Sequence, residues 1–276
     1  MRLAHLSDLH FGHHDEAVTA TLARELDDQR LDLVIISGDF TQRGNEAEFR
    51  AARDFIDTLK APVFAVPGNH DVPEVTNLWR RLINPYALYR KYIDPNTEPF
   101  LEQDGVAIAG LRTTRRMMPE FNWSNGMLNR HQLHKLESRF AQAAPDALRI
   151  IVAHHPLLYP EADLGVKQRR VGNAERALQT FSELGVRLVL SGHFHLSYVR
   201  VHERPGTVKE GEPTGLRKAT VAPILVAQTS STISTRLRGH PNAYNLIDIK
   251  DGEIAIAVRE WRDGRWKTLE KTAEPA

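Results

Sequence analysis

The sequence predicts an α/β protein, a four-layer αββα sandwich in which helices flank two mixed β-sheets. Two observations carry this prediction. In the first two thirds of the 276 residues, short apolar segments alternate with amphipathic segments of helical period, a pattern typical of strands connected by helices. Apolar segments joined by short turns occur elsewhere, and two sheets packed face to face with helices outside would bury both kinds of segment.

Five short apolar segments are each followed by a loop and a helical pattern, so we interpret them as buried strands. They are Leu3–Leu6, Leu33–Ser37, Val63–Val66, Ile150–Ala153 and Leu188–Ser191. Four amphipathic segments between them have the length and spacing of helices. They are Glu16–Gln29, Glu46–Leu59, Asn129–Ala143 and Asn173–Leu184.

Two further regions carry strand-like segments joined by short turns. They are Glu98–Leu111 and the chain from Thr220 onward, where Asp251-Gly252 separates Ile247–Ile249 from Ile254–Val258. Such a pattern is typical of hairpins, and we expect a second sheet rich in them. A core of this size still forms one unit, so residues 1–276 are interpreted as a single domain.

Part of the chain, residues 75–127, does not fit the alternation. Val75–Ile93 is rich in aromatic and basic residues, and Arg115–Met127 contains Met117, Met118, Phe121 and Trp123. Loops on a rigid scaffold often determine specificity, so this insertion could cap a substrate site. The alternative is a helix that packs an aromatic stripe on the core.

Composition narrows the classes of function. Lys and Arg number 36 against 35 Asp and Glu, so no global positive charge indicates a nucleic-acid partner. The chain has no cysteine, which excludes disulfides and thiolate metal sites and leaves nitrogen and oxygen as ligands. No apolar segment approaches the ~20 residues of a transmembrane helix, and no signal sequence is evident. We therefore expect a cytoplasmic protein, with a homo-oligomer among the possible assemblies.

Five polar clusters follow the five predicted strands. They are Ser7-Asp8-Leu9-His10, Gly38-Asp39, Pro67-Gly68-Asn69-His70-Asp71, Ala153-His154-His155-Pro156 and Ser191-Gly192-His193-Phe194-His195. Each alone is compatible with an ordinary turn at a strand end. Together they indicate a site, because the carboxyl ends of strands in α/β sheets open onto a common crevice. Clustered His and Asp are typical of metal or catalytic sites.

The order of these clusters resembles the calcineurin-like metallophosphoesterase superfamily. The matching residues are Asp8-x-His10, Gly38-Asp39, Gly68-Asn69-His70-Asp71, His154 and Gly192-His193-x-His195. They extend over roughly 70% of the chain, well beyond a chance motif. Within the superfamily, the spacing and the His-His-Pro block resemble the group of class III cyclic nucleotide phosphodiesterases and glycerophosphodiesterases.

The resemblance implies a binuclear metal centre. Asp8, His10 and His195 would hold the first ion, Asn69, His154 and His193 the second, and Asp39 would bridge them. Such ligands suit Mn²⁺, Fe²⁺ or Zn²⁺. Two ions ~3.5–4 Å apart can share a water, make hydroxide available near neutral pH and clamp the phosphoryl oxygens. His70 is expected to stand beside the leaving group and to give it a proton.

The expected activity is hydrolysis of a small phosphodiester, such as a cyclic nucleotide or a glycerophosphodiester. Arg112 and Arg236 are candidate substrate-binding residues, because the guanidinium fork matches phosphate. Three alternatives stay open: a pyrophosphatase of the UDP-2,3-diacylglucosamine type in lipid A synthesis, a DNA nuclease, and a catalytically silent scaffold of the same fold. The near-zero net charge disfavours the nuclease, and the complete ligand set disfavours the scaffold.

Overall fold

The computed structural model describes residues 1–74, 78–115, 124–161, 166, 168–203 and 223–273. The strands of this part of the chain are β1 (Arg2–Leu6), β2 (Leu33–Ile36), β3 (Val63–Ala65), β4 (Phe100–Gln103), β5 (Val106–Leu111), β6 (Leu148–Ala153), β7 (Val186–Ser191), β8 (Tyr198–His202), β9 (Ile224–Gln228), β10 (Ala243–Lys250), β11 (Glu253–Arg262) and β12 (Arg265–Ala273). Its helices are α1 (Glu16–Asp28), α2 (Glu46–Asp57), α3 (Leu78–Ile83), α4 (Ala87–Tyr92), α5 (Arg130–Phe140) and α6 (Ala174–Glu183).

These strands form two six-stranded sheets. The first has the order β12-β11-β10-β1-β2-β3, and the second has the order β4-β5-β6-β7-β9-β8. In the first sheet β1, β2 and β3 are parallel and the other neighbours are antiparallel. In the second sheet β5, β6, β7 and β9 are parallel, with antiparallel strands at both edges. The prediction of two mixed sheets is confirmed.

The prediction of a separate hairpin-rich sheet is wrong. The β4–β5 hairpin continues into the parallel strands β6 and β7, whereas β10 pairs with β1, with Leu3 opposite Ile247. The predicted βα strands are therefore divided between the sheets, and each sheet gains its own antiparallel strands. Antiparallel neighbours need only a short turn, so they can extend whichever sheet has an open edge.

Alternate residues of the central strands face different layers. Ile35 of β2 and Ile150 of β6 belong to the apolar cluster between the two sheets. Ile36 packs in the cluster that contains the apolar faces of α1 and α2, and Ile151 packs in the cluster that contains those of α5 and α6. Burial on both faces explains why these strands are continuous apolar runs in the sequence. The arrangement is the predicted four-layer sandwich.

Capping side chains explain where several of the helices begin. Asp15 accepts hydrogen bonds from the backbone of Ala17 and Val18 and so caps α1. Asn129 and Gln132 form a reciprocal capping box at the start of α5. Such caps satisfy backbone N–H groups that have no partner in the first turn. Asn129, predicted as the first residue of a helix, is therefore its cap.

The insertion within residues 75–127 is only partly described, because 75–77 and 116–123 lie outside the described residues. Tyr86 and Tyr89 are buried in the cluster under α1 and α2, whereas Trp79 and Ile83 are exposed. The aromatic residues next to and in α4 therefore pack on the core, and the substrate cap stays a prediction. Among the described residues, no helix has the length and apolar character needed to cross a membrane.

Candidate metal centre

The polar clusters meet where the loops of both sheets converge. The backbone N–H of Asp8 donates to the carbonyl of Gly38 at 3.0 Å, which joins the loops after β1 and β2. In the second sheet the N–H of Gly192 donates to the carbonyl of His154, also at 3.0 Å. The two pairs of loops contact each other through the N–H of His193, which donates to Asp8 Oδ2 at 2.9 Å. The carboxyl ends of four strands thus contribute to one buried site.

Five predicted ligand residues have a left-handed backbone. The φ angles are 52° at Asp8, 49° at His10, 55° at Asp39, 73° at His193 and 59° at His195. Residues with a side chain seldom adopt this region, and each such residue costs about 1–3 kcal/mol. Surrounding bonds hold the conformation; for example, Ser231 Oγ donates to the carbonyl of Asp8 at 2.6 Å. Strain concentrated at these positions is typical of a functional site.

The first predicted group surrounds an unpaired carboxylate oxygen. Asp8 Oδ2 accepts hydrogen bonds from Ser7 and His193, but the buried Oδ1 has no donor. This oxygen lies 3.1 Å from His195 Nε2 and 3.6 Å from His10 Nε2. The Nδ1 atoms of these two rings face the carbonyls of Arg236 and Thr41, which directs both Nε2 atoms inward. A buried carboxylate oxygen without a donor, together with two imidazole nitrogens, is an arrangement that can bind a cation.

The second predicted group is connected to the first through Asp39. Its Oδ2 lies 3.3 Å from His154 Nε2 and 3.8 Å from His10 Nε2, so one oxygen is shared between the groups. His154 Nε2 is also 3.1 Å from Asn69 Oδ1, and His193 has a ligand atom within 4.8 Å of one on His154. The structure therefore brings together all seven residues that the sequence predicted as ligands.

Burial and opposite charges shift the pKa values of the group. Burial alone would raise the pKa of Asp39, but His154, His70 and His10 together outweigh this effect and hold the pKa far below its usual range. Burial lowers the pKa of His154, but the charge and hydrogen bond of Asp39, together with the charge of Asp8 and the Ser37 carbonyl, raise it to about 9. Nearby histidines also hold the pKa of Asp8 well below its usual range, against the effect of its burial. The carboxylates of Asp8 and Asp39 are therefore ionised at neutral pH, as metal binding requires, and a metal at His154 would displace a proton.

His70 stands beside the group. Its backbone N–H donates to Asp39 Oδ1 at 2.8 Å, and its Nδ1 faces the carbonyl of Gln42 at 2.7 Å. A ring nitrogen of His70 lies within 4.8 Å of ligand atoms of both His10 and Asp39. Because Nδ1 is bonded to a carbonyl, Nε2 is the nitrogen available to a ligand.

Asp71, the last residue of the third polar cluster, binds the backbone of two neighbouring loops. Its carboxylate accepts hydrogen bonds from the backbone of Thr41 and Gly68 and from the Thr41 hydroxyl. Burial and the charge of Asp39 raise the pKa of Asp71 to about 7. Asp71 therefore joins the loops after β2 and β3, and the Gln42 carbonyl orients the His70 ring.

His155 is a residue whose role the sequence did not reveal. The Thr113 hydroxyl lies 2.6 Å from its Nδ1, and the carbonyl of Ser124 lies 2.8 Å from its Nε2. Its ring is buried against those of His154 and His193, with centroids 5.0 Å and 4.5 Å away. Because both of its ring nitrogens are bonded to protein groups, His155 packs against the His154 and His193 rings and holds them in position. Two adjacent histidines in the sequence give no indication of which one faces the site.

The two candidate substrate arginines occupy different places. Arg236 Nη1 donates to the Gln42 side chain at 3.2 Å, and the Arg236 carbonyl faces His195, so this residue borders the metal centre. The Arg112 guanidinium lies over the Tyr86 ring, 4.9 Å from its centre. It lines a cavity of about 230 Å³ that shares no described residue with the cavity beside His70. Contact between Arg112 and substrate stays a prediction.

Three glycines allow the ligand loops to approach closely. A Cβ at Gly192 would lie 1.8 Å from Ser7 Oγ and 2.4 Å from Asp8 Oδ2, and one at Gly68 would lie 2.1 Å from Asp39 Oδ1. At Gly38, where φ is +97°, a Cβ would also meet the backbone of Gly68. These distances are far below any normal contact. The glycines of the sequence motifs are therefore required by the geometry of the metal centre.

We expect Gly192→Ala to destabilise the protein and to weaken binding of the first metal. The added methyl group must displace Ser7 or Asp8, an overpacking that costs about 3 kcal/mol. Gly172→Ala is the matched control, because its nearest contact is the flexible Met127 side chain at 3.3 Å. Urea unfolding in chelator and metal content per chain measure both effects. Equal values for the two variants would contradict the proposed close contact.

The class of protein to which this chain belongs follows from its similarity to known families. Residues 1–197 match the calcineurin-like phosphoesterase family model. The chain belongs to this family, which confirms the resemblance stated from the sequence and the prediction of a metal-dependent phosphoric ester hydrolase.

Curated relatives fall in the expected group. A probable cyclic nucleotide phosphodiesterase of Synechococcus sp. is 26% identical over 72% of this chain and 75% of its own length. A probable glycerophosphodiester phosphodiesterase GpdQ of Arcobacter nitrofigilis is 26% identical over 59% of this chain and 56% of its own length. The 3′,5′-cyclic adenosine monophosphate phosphodiesterase CpdA of Escherichia coli K12 is 27% identical over 59% of this chain and 54% of its own length. The chain therefore spans little more than half the length of the last two.

Solved structures agree on the fold. A purple acid phosphatase from yellow lupin superposes with a TM-score of 0.68 at 12% identity, over 99% of this chain and 53% of that one. A dimetal phosphatase from Danio rerio gives a TM-score of 0.61 at 13% identity, over 100% of this chain and 99% of the other. At these identities the similarity establishes the architecture alone.

Proposed function

We propose that this protein is a binuclear metal-dependent phosphodiesterase that hydrolyses small phosphodiesters, such as a cyclic nucleotide or a glycerophosphodiester. The observation that carries the proposal is the position of Asp39 Oδ2, which lies within 4 Å of both His10 Nε2 and His154 Nε2. An oxygen shared by two groups of nitrogen and oxygen ligands is what a pair of bridged ions requires.

The ligand set fits two divalent cations. Asp8, His10 and His195 would hold the first ion, Asn69, His154 and His193 the second, and Asp39 both. Carboxylate, amide and imidazole ligands suit Mn²⁺, Fe²⁺ or Zn²⁺, and no cysteine competes for softer metals. Bound ions would act as Lewis acids on the phosphoryl oxygens and lower the pKa of water.

The remaining groups of the chain serve the substrate. In hydrolysis the P–O bond to the leaving group breaks, and the leaving oxygen takes the bonding electron pair and a proton. His70 Nε2 is the group that supplies this proton. The other ring nitrogen, Nδ1, is bonded to the Gln42 carbonyl, so Nε2 is directed towards the substrate. Arg236, which borders the centre beside His195, is the residue that binds a phosphoryl oxygen.

The relatives support the diesterase assignment over a monoesterase. Those described above have names that refer to phosphodiesterases of cyclic nucleotides or glycerophosphodiesters. The His-His-Pro block at His154, His155 and Pro156 resembles the same group. The UDP-2,3-diacylglucosamine-type pyrophosphatase and the silent scaffold are the competing outcomes of the assay that follows.

A substrate panel with added Mn²⁺ tests the proposal. It compares bis(p-nitrophenyl) phosphate, p-nitrophenyl phosphate, 2′,3′- and 3′,5′-cyclic AMP, and a UDP-linked acyl sugar. We expect kcat/KM for the diesters to exceed that for the monoester by at least about tenfold, which is about 1.4 kcal/mol of activation free energy. Preferred turnover of the acyl sugar would instead identify a pyrophosphatase, and no turnover of any compound would identify a scaffold.

A further inference from the structure

A small cavity of about 230 Å³ is lined by residues from the loop after β5 and from the start of α5. Two of these residues are arginines, Arg112 and Arg115, and no acidic residue is among the described lining residues. The volume is below the ~300 Å³ at which pockets for small molecules usually begin, so a compact group suits the cavity better than a whole nucleotide. The metal ligands described above do not line it.

The two arginines of this cavity have no carboxylate as a partner. Neither Arg112 nor Arg115 forms an ion pair with another described residue, and both are half-buried. The Glu98 carboxylate, which accepts a hydrogen bond from the lining residue Gln132 at 2.6 Å, is paired instead with Lys135 at 3.6 Å. Two positive charges without a counter-ion on the described part of the protein favour binding of an anion.

Contacts with neighbouring side chains hold the positive groups in place. The Arg112 guanidinium lies over the buried Tyr86 ring, whose hydroxyl is hydrogen-bonded to Thr114 Oγ1 at 2.8 Å. The Arg90 guanidinium lies 6.0 Å from the centre of the same ring, so it adds positive charge nearby. Asn129 Oδ1 accepts from the backbone of α5, which leaves Nδ2 as a further donor on the wall. Guanidinium and amide donors together match the oxygens of a phosphate group.

The two chain segments that form the cavity are both bonded to His155. The hydroxyl of Thr113, which lies between two lining residues, donates to His155 Nδ1 at 2.6 Å. On the other segment the carbonyl of Ser124 accepts from His155 Nε2 at 2.8 Å, and the N–H of the lining residue Met127 donates to the Thr113 carbonyl at 2.9 Å. Because His155 packs against two predicted ligands of the second metal, a group bound between the segments would stabilise those ligands.

We propose that this cavity is a second anion site, which binds a doubly charged phosphate group through Arg112 and Arg115 and thereby strengthens binding of the second metal. The phosphate group belongs either to free inorganic phosphate or to a phosphate monoester, and both present the same oxygens at neutral pH. A monoester is what hydrolysis of a diester releases. The site itself goes beyond the proposed function, and its effect on the second metal rests on the proposed ligand set.

Isothermal titration calorimetry of the zinc-loaded protein counts the phosphate groups bound per chain. Inorganic phosphate and methyl phosphate are titrated separately, which distinguishes the two sources. We expect two binding events in the wild type, at the metal centre and at the arginines, and one event in Arg112→Gln and in Arg115→Gln. Arg149→Gln is the matched control, because that guanidinium also lies over an aromatic ring, 5.4 Å from the centre of Phe140, but at the opposite end of β6 from the ligands.

The rate at which zinc is released into a chromogenic chelator tests the effect on the second metal. Methyl phosphate should slow release of the second ion about fivefold more in the wild type than in Arg112→Gln. Phosphate that binds the metals directly slows release in both proteins, so this comparison cancels its contribution. Arg112→Lys, which keeps the charge but loses the planar fork, should restore the second binding event at about tenfold lower affinity.

The second anion site is overturned if both glutamine variants bind as many phosphate groups as the wild type. A single event in the wild type that Arg112→Gln weakens would also overturn it, and would show that Arg112 contacts the phosphate at the metal centre. Equal slowing of zinc release in the wild type and Arg112→Gln would overturn the link to the second metal. None of these readouts requires turnover, so failure of the proposed diesterase function is recognised separately, in the substrate panel.

Discussion

Asp39→Asn is expected to lower kcat/KM on bis(p-nitrophenyl) phosphate at least about 1000-fold, which is about 4 kcal/mol of activation free energy. The substitution removes the charge of the oxygen that lies near both His10 and His154. Asparagine tolerates the left-handed backbone at this position, where φ is 55°, so the change is confined to the side chain. Metal analysis after gel filtration should show about one ion or fewer per chain.

The control for this variant is Asp57→Asn, an exposed carboxylate at the end of α2. It should retain the wild-type metal content and activity. Full metal occupancy in Asp39→Asn would refute the bridging role, even if the activity were lost. Urea unfolding of both variants in chelator separates metal loss from a loss of folded protein.

His70→Ala is expected to lower kcat about 10²- to 10⁴-fold while both metals stay bound. The ring stands beside the ligand group, and its Nδ1 is held by the Gln42 carbonyl, so its loss removes a proton donor and leaves the ligands in place. The effect should be smallest for p-nitrophenol, whose leaving oxygen needs little protonation, and largest for alkyl leaving groups.

His134→Ala is the matched control for this second experiment, because that ring is on the exposed face of α5. It should leave the activity unchanged. Loss of metal in His70→Ala would mean that His70 is a ligand, and an equal fall in rate for aryl and alkyl diesters would argue against proton donation.

Much of the fold could be predicted because the strands of the βα units are buried on both faces. The continuous apolar runs at β2, β6 and β7 indicated interior strands, because they are short and amphipathic helical segments lie between them. The assignment of strands to sheets could not be predicted, because apolar pattern does not specify which neighbour a strand pairs with. The pairing of β10 with β1 joins residues that are 240 or more positions apart in the sequence.

The candidate ligand residues could be found from the sequence because each is a polar side chain that follows an apolar strand. The groups that orient these side chains could not be predicted. The His10, His70 and His195 rings are directed by carbonyls of Thr41, Gln42 and Arg236, and any residue type carries a carbonyl. Single-domain organisation, cytoplasmic location and oligomeric state stay predictions.

The left-handed backbone at Asp8, His10, Asp39, His193 and His195 has a consequence for random mutagenesis. At these positions a β-branched replacement imposes a steric penalty in addition to deleting a coordinating atom, while glycine relieves it. A deep mutational scan scored only on protein abundance should therefore rank glycine and asparagine above valine and isoleucine there. The ranking should be the same in cells that do not need the enzymatic activity, because abundance depends on whether the backbone can adopt the left-handed conformation.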